Sequence, residues 1–201
     1  MLSRSIRALV LTLVPLSIVS CSENVPLAPT DQANAALQPG GLQSSRVDRP
    51  IKGACTTTIT FLAPGTEGQC AVFQPVPSTF IAINGECTIS HLGRTDLAAI
   101  QQLVFLLDGN GLPVFGPGGQ PVVTALRNCS TFTAANGDAL DHTTTGVVAP
   151  AGPADVVFSG PITFTGGTGR FAGASGAATF NGTASLATNT GAFTFEGTVA
   201  Y

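Results

Sequence analysis

The chain has 201 residues and a net charge of -3, with only 9% of its residues charged. Beyond Lys52 its cations are Arg94, Arg127 and Arg170, too few to neutralise a run of phosphates, so nucleic acid is excluded as an expected partner. With 24 Gly, 12 Phe, no Trp and abundant Thr, the composition favours short strands and tight turns, because Thr and Phe fit a pleated surface while Gly weakens helices.

In chain order, Arg4 and Arg7 precede an apolar stretch over residues 8–19. At about a dozen residues this is signal-peptide length and well short of the ~20 that cross a bilayer as a helix. Residues 1–20 are therefore expected to be cleaved on export. Ile18-Val19-Ser20-Cys21 resembles a lipobox, with a branched residue three before the cut, a small one just before it, and then the acceptor cysteine. That resemblance implies diacylglycerol on the Cys21 sulfur. Two or three acyl chains anchor stably, since each buried methylene contributes about 0.8 kcal/mol. The expected address is extracytoplasmic and lipid-anchored, and Ser22 after the lipid site fits the outer membrane if the host has two membranes. Residues 21–50, rich in Pro and polar side chains without a sustained apolar period, are expected to form a flexible tether.

The remaining residues, 51–201, suit one domain that buries roughly 70% of its unfolded surface. Cys55, Cys70, Cys87 and Cys129 form an even set, which in an exported chain predicts two disulfides out of three possible pairings. The pairing we expect is Cys55 to Cys70 across an early hairpin and Cys87 to Cys129 between neighbouring strands, although spacing alone fixes neither. No CxxC spacing points to zinc or redox chemistry. Strands are expected over residues 56–62, 79–83, 87–91, 121–126 and 156–165. Residues 97–107 are ambiguous, because Leu-Ala-Ala-Ile-Gln-Gln-Leu also fits a short helix. Asn136-Gly137 marks a hairpin with a type I′ turn. The clearest signal is at the C-terminus, where Ala178, Phe180, Ala184 and Leu186 share one face and Thr179, Asn181, Thr183 and Ser185 the other. After Thr188-Asn189-Thr190-Gly191 the alternation resumes, with Phe193, Phe195, Val199 and Tyr201 on the core face.

This pattern indicates an all-β sandwich or barrel, and a barrel removes exposed edges. Residues 162–176 (ITFTGGTGRFAGASG) with the strand after them resemble dirigent and allene oxide cyclase-like barrels. Residues 84–94 (NGECTISHLGR) and 133–138 (TAANGD) further resemble a group of bacterial exported proteins with the same ending. The resemblance covers roughly residues 84–201 and implies an antiparallel up-and-down barrel of about eight strands. It carries over no catalytic residue position by position.

Gly167, Gly169 and Gly173 lack the following helix and the Lys of a phosphate loop, so they read as a turn and bulge. Arg170 beside them is expected to pair with a carboxylate such as Asp138 or Glu196. His91 and His142 are the two histidines, and any neutral-pH general base must be one of them. His91 with Arg94 and Asp96 forms one polar cluster; Asp138, Asp141 and His142 form another. In a barrel the two clusters can share a mouth, where a small-molecule site is built. His91, Arg94, Asp138, Asp141, His142 and Arg170 are accordingly the ligand-binding candidates. No metal ligand set, cofactor motif or GxSxG elbow accompanies them, and the residues set no oligomeric state. The expected function is a lipid-anchored module that binds a small hydrophobic ligand or serves as an envelope interaction domain. The alternative is an enzyme or guiding protein acting on a small hydrophobic substrate. An enzyme should have an enclosed pocket with His91 or His142 turned into it, whereas a structural module should have a barrel filled by Phe and Val.

Overall fold

The alternation read at the C-terminus runs through the whole domain and bends it into a closed sheet. The structure, a computed structural model, describes residues 46–63 and 78–201, so the expected signal peptide, Cys21, most of the tether and Cys70 lie outside the described residues. Among the described residues nine strands follow one another: β1 (Asp48–Phe61), β2 (Thr79–Ile89), β3 (Gly93–Phe105), β4 (Val123–Ala134), β5 (Ala139–Thr144), β6 (Gly146–Pro150), β7 (Asp155–Gly167), β8 (Ser175–Ser185) and β9 (Thr190–Ala200). A 3-10 turn, Gly169–Phe171, links β7 to β8.

The strands pair antiparallel in the order β3-β2-β1-β9-β8-β7-β5-β4, and β3 pairs back onto β4 to close the ring. β5 and β6 occupy one position, since both lie between β4 and β7 and differ only in which end they cover. The result is the expected eight-stranded antiparallel barrel. Its closure satisfies every edge, which a flat sheet of this length does not achieve.

Several local expectations are corrected. Residues 97–107 are strand through Phe105 rather than helix, because inward Leu97, Ala99 and Gln101 alternate with the outward Ala98 and Ile100. Residues 79–83 and 87–89 belong to one strand, β2, while Ser90 and His91 fall in the turn after it. β1 begins at Asp48, inside the stretch assigned to the tether, where Asp48, Arg49 and Pro50 pair with β9. The Asn136-Gly137 hairpin forms, but only Gly137 has positive φ (86°). The Gly137 N–H donates to the Ala134 carbonyl at 2.9 Å and the Ala134 N–H to the Asp138 carbonyl at 2.9 Å, the pattern of a three-residue loop with a glycine bulge rather than type I′.

The expected Cys55–Cys70 and Cys87–Cys129 pairing is overturned: Cys55 is bonded to Cys87, with Cα atoms 4.0 Å apart. The reason is register, since Cys55 and Cys87 stand directly opposite each other on β1 and β2 and both point inward. Cys129 is also disulfide-bonded.

At one end the barrel is plugged. Phe171 from the 3-10 turn is fully buried there with Leu92, Ala174, Ile51 and Val199. The β2–β3 turn, the β4–β5 turn, the start of β1 and the end of β9 all meet at this end. Among the described residues, none plugs the opposite end, where β1 reaches Phe61, in this way.

Candidate functional site

Three strands carry their inward residues to the middle of the barrel: Leu97, Ala99 and Gln101 from β3, Asn128, Ser130 and Phe132 from β4, and Leu140, His142 and Thr144 from β5. A bulge at Thr165 lets His142 pair with Phe164, while Asp141 stays opposite Gly166. Bulges of this kind re-aim a side chain. The His142 ring stacks on Phe132 (centroids 4.2 Å apart, planes at 13°), and Phe132 stacks in turn on Phe195 (5.4 Å, 16°). Phe164 meets the imidazole edge-on at 6.3 Å. This stack divides the interior, with the packed core on the plugged side and a cavity on the other.

The cavity has a volume of about 590 Å³, within the ~300–1,000 Å³ typical of small-molecule sites. Its wall is apolar, including Ile81, Ile83, Phe158, Phe180 and Phe193. The three phenylalanines are in mutual edge-on or tilted contact, with centroids 6.1 to 6.4 Å apart. At the inner end sit five polar side chains: Gln101, Asn128, Ser130, His142 and Thr144. No Asp, Glu, Lys or Arg lines the cavity among the described residues.

The polar side chains order one another. Gln101 Nε2 donates to the carbonyls of Arg127 (2.8 Å) and Gln102 (3.2 Å), and its Oε1 accepts from the Thr144 hydroxyl at 3.2 Å. Asn128 Oδ1 accepts from the Thr144 N–H, and Asn128 Nδ2 donates to Ser130 Oγ, both at 2.6 Å. His142, directly opposite Ser130 in the β4–β5 register, is 4% exposed, and its Nδ1 is buried with no hydrogen-bond partner. A buried polar atom left unpaired costs about 1–3 kcal/mol, so this nitrogen calls for explanation. Burial pushes the His142 pKa down to about 3, and an interaction with the Leu140 backbone opposes the shift without cancelling it. The imidazole is therefore neutral at physiological pH, a hydrogen-bonding group rather than a charge.

The other expected site residues lie elsewhere. His91 sits in the β2–β3 turn with φ 68°; its ring nitrogen Nε2 lies 2.9 Å from the Pro50 carbonyl. Asp138 is at the β4–β5 turn. Arg170 joins the two clusters: its Nε is 3.3 Å from Asp138 Oδ2, and another of its nitrogens donates to the His91 carbonyl at 2.6 Å. Arg94 pairs with Glu86 at 2.7 Å on the outer surface. Asp141 faces away from His142 and accepts from the Thr131 hydroxyl at 2.7 Å. The clusters do share one end of the barrel, but it is the plugged end. Of the six candidates, His142 alone reaches the cavity.

No known protein family matches the chain, and neither does any curated protein or solved structure. The functional argument rests on the barrel itself. Gln101, Asn128, Ser130 and Thr144 were not among the expected site residues. Their one signal was phase: Asn128 and Ser130 alternate in step with Phe132, and Thr144 in step with Leu140 and His142, so polar groups fall where core residues are due.

Proposed function

We propose that this chain is a lipid-anchored, extracytoplasmic binding protein that holds one small, uncharged, largely apolar molecule inside the barrel. One observation carries the reading: a cavity of about 590 Å³ with apolar walls and a neutral polar inner end. Apolar walls favour a ligand that sheds its hydration, at about 25 cal/mol per Å² buried. With no ionised side chain among the described residues along the cavity, a charged ligand would lose its water without gaining a counter-charge. A hydroxyl or carbonyl on the ligand would meet the neutral polar side chains at the inner end, Ser130 and Thr144 among them. Lipidation at Cys21 and export rest on the lipobox and the segment before it.

The enzyme or guiding-protein reading, suggested by likeness to dirigent and cyclase barrels, has one feature in its favour, the imidazole in the cavity wall. A base whose conjugate acid has a pKa near 3 is weak at neutral pH. Asp141, the adjacent carboxylate in sequence, lies on the other face of β5. Binding therefore has the better support.

The test is titration with N-phenyl-1-naphthylamine, a neutral fluorescent apolar probe. One probe should bind per chain, with fluorescence enhancement, and Ala125→Phe, which fills the cavity, should reduce affinity at least tenfold while the far-ultraviolet spectrum stays unchanged. Undiminished binding to a folded Ala125→Phe variant would sink the reading. Conversion of a bound ligand during incubation, detected by native mass spectrometry, would move it to the enzyme alternative.

A further inference from the structure

The arm that connects β3 to β4 presents an apolar surface that the barrel does not use. Beyond the last β3–β4 pair, Phe105 with Val123, the chain folds back on itself twice. Bridges join Leu107 to Pro113 and Phe115 to Pro121; the Val114 N–H donates to the Leu106 carbonyl and the Val122 N–H to the Val114 carbonyl, both at 2.8 Å. Bridge partners share a face, as do residues two apart along a strand. Phe105, Leu107, Pro113, Phe115 and Pro121 therefore form one side of a small three-ply sheet, while Leu106, Val114 and Val122 form the other. The second side is the less exposed one, with Val122 buried. The first is turned out: Phe105, Leu107 and Phe115 are 57%, 54% and 61% exposed, and Leu112 at the arm's turn is 61% exposed. An antiparallel sheet normally keeps polar side chains on its solvent face, and a contiguous apolar face in water marks an interaction surface.

We propose that this face docks on the surface of a neutral lipid bilayer and sets the mouth of the cavity against it. Three observations select a membrane as the occupant. First, the face continues into the cavity, because Phe105 and Pro121 line it too, and Phe61, Val147 and Leu186, also lining it, stand exposed around the same opening. An apolar ligand would pass between bilayer and cavity without crossing water. Second, the arm carries no Lys or Arg, and its one charge, Asp108, has its carboxylate oxygen Oδ1 accepting from the Asn110 and Leu112 N–H groups at 2.8 and 2.9 Å within the turn. Nothing there attracts anionic headgroups, so burial of apolar side chains is the driving term. Third, the geometry of the chain permits it. Described residues begin at Arg46, at the plugged end, and the 14 residues of β1 run about 45 Å to the mouth. The chain between Cys21 and Arg46 reaches up to roughly 80 Å when extended, long enough for the mouth to turn toward the membrane that holds the lipid.

The proposal deepens the binding function without depending on lipidation, and the experiment separates the three. The mature full-length chain carrying Cys21→Ser, and so lacking lipid, is floated with vesicles of phosphatidylcholine alone. It should rise with the vesicles, and the double variant Leu107→Asp/Phe115→Asp should lower the bound fraction at least tenfold. Both side chains are exposed, so the variant should still bind N-phenyl-1-naphthylamine as the parent does. A parent that stays unbound, or a variant that floats equally well, overturns the proposal. So does flotation that requires phosphatidylglycerol and disappears in 0.5 M salt at roughly one-third of the Debye length of 0.05 M salt. A dimer in solution that the double substitution converts to monomer, without flotation of the parent, would instead make the face a self-interface.

Discussion

Gly53 and Phe195 face each other across the β1–β9 pair, and the Phe195 ring fills the space that a Cβ on residue 53 would need. The strand that closes the barrel is thus seated on the bare backbone of the first one. Gly53→Ala should destabilise the domain by about 1–3 kcal/mol through overpacking, and Phe195→Ala by about 3–5 kcal/mol through the cavity it leaves. Thr194→Ala, on the solvent face, should stay within about 0.5 kcal/mol. Chemical denaturation of the three variants compares them; a Thr194 loss as large as that of Phe195 would mean the faces of β9 are exchanged.

His142 predicts a pH dependence whose sign follows from its depressed pKa. The unfolded chain takes up the imidazole proton near pH 6.5, whereas the folded chain does so only near pH 3. Stability should therefore fall as pH drops from about 6.5 toward 3 and lose nothing further from this group below that. Between pH 7.5 and pH 5 the loss should be roughly 2 kcal/mol. His142→Gln should flatten the profile in that window, measured by denaturation midpoints at each pH. An unchanged slope would show that the imidazole reaches solvent in the folded state.

The disulfides connect the fold to the proposed anchor. Cys55 and Cys87 are bonded to each other, and Cys129 is bonded as well. If Cys21 carries lipid, peptide mapping without reduction should yield Cys55–Cys87 and Cys70–Cys129. A Cys21–Cys129 peptide would refute the lipoprotein reading directly.

The polar groups at the plugged end are expected to be structural, and unequal in effect. Arg170→Ala removes the contacts to both Asp138 and the His91 carbonyl and should cost about 1 kcal/mol. Arg94→Ala breaks a pair exposed on both sides and should leave the midpoint within error. Neither should alter probe binding in the cavity. A tenfold loss of probe affinity in Arg170→Ala would place a ligand site at this end after all.

What the residues disclosed in advance depended on whether one face met water. β8 and β9 have a polar outer face of Thr, Asn and Glu against inward Phe, Ala and Val, so both strands and their facing were legible. β3 was not, because its inward row continues into Gln101, whose amide is satisfied by carbonyls on β3 and β4; a buried glutamine erases the period-2 contrast. His142 was noticed for its chemistry but placed among Asp138 and Asp141 by proximity in sequence. The strand separates it from Asp141 by facing and from Asp138 by distance along the barrel axis. The cysteine pairing followed from the β1–β2 register, a relation across 32 positions that no local spacing expresses.

The closing pair joins Asp48 to Ala200, which has a kinetic consequence. β1 can find β2 early, and the Cys55–Cys87 bond can hold them together, but its other edge has no partner until β9 arrives. Bringing ends so far apart in sequence together carries a loop-closure cost before any contact repays it. Until then β1 offers unpaired backbone groups and the inner Phe side chains of β8 and β9 are exposed. The half-made barrel is the form most open to proteolysis and to strand exchange between copies.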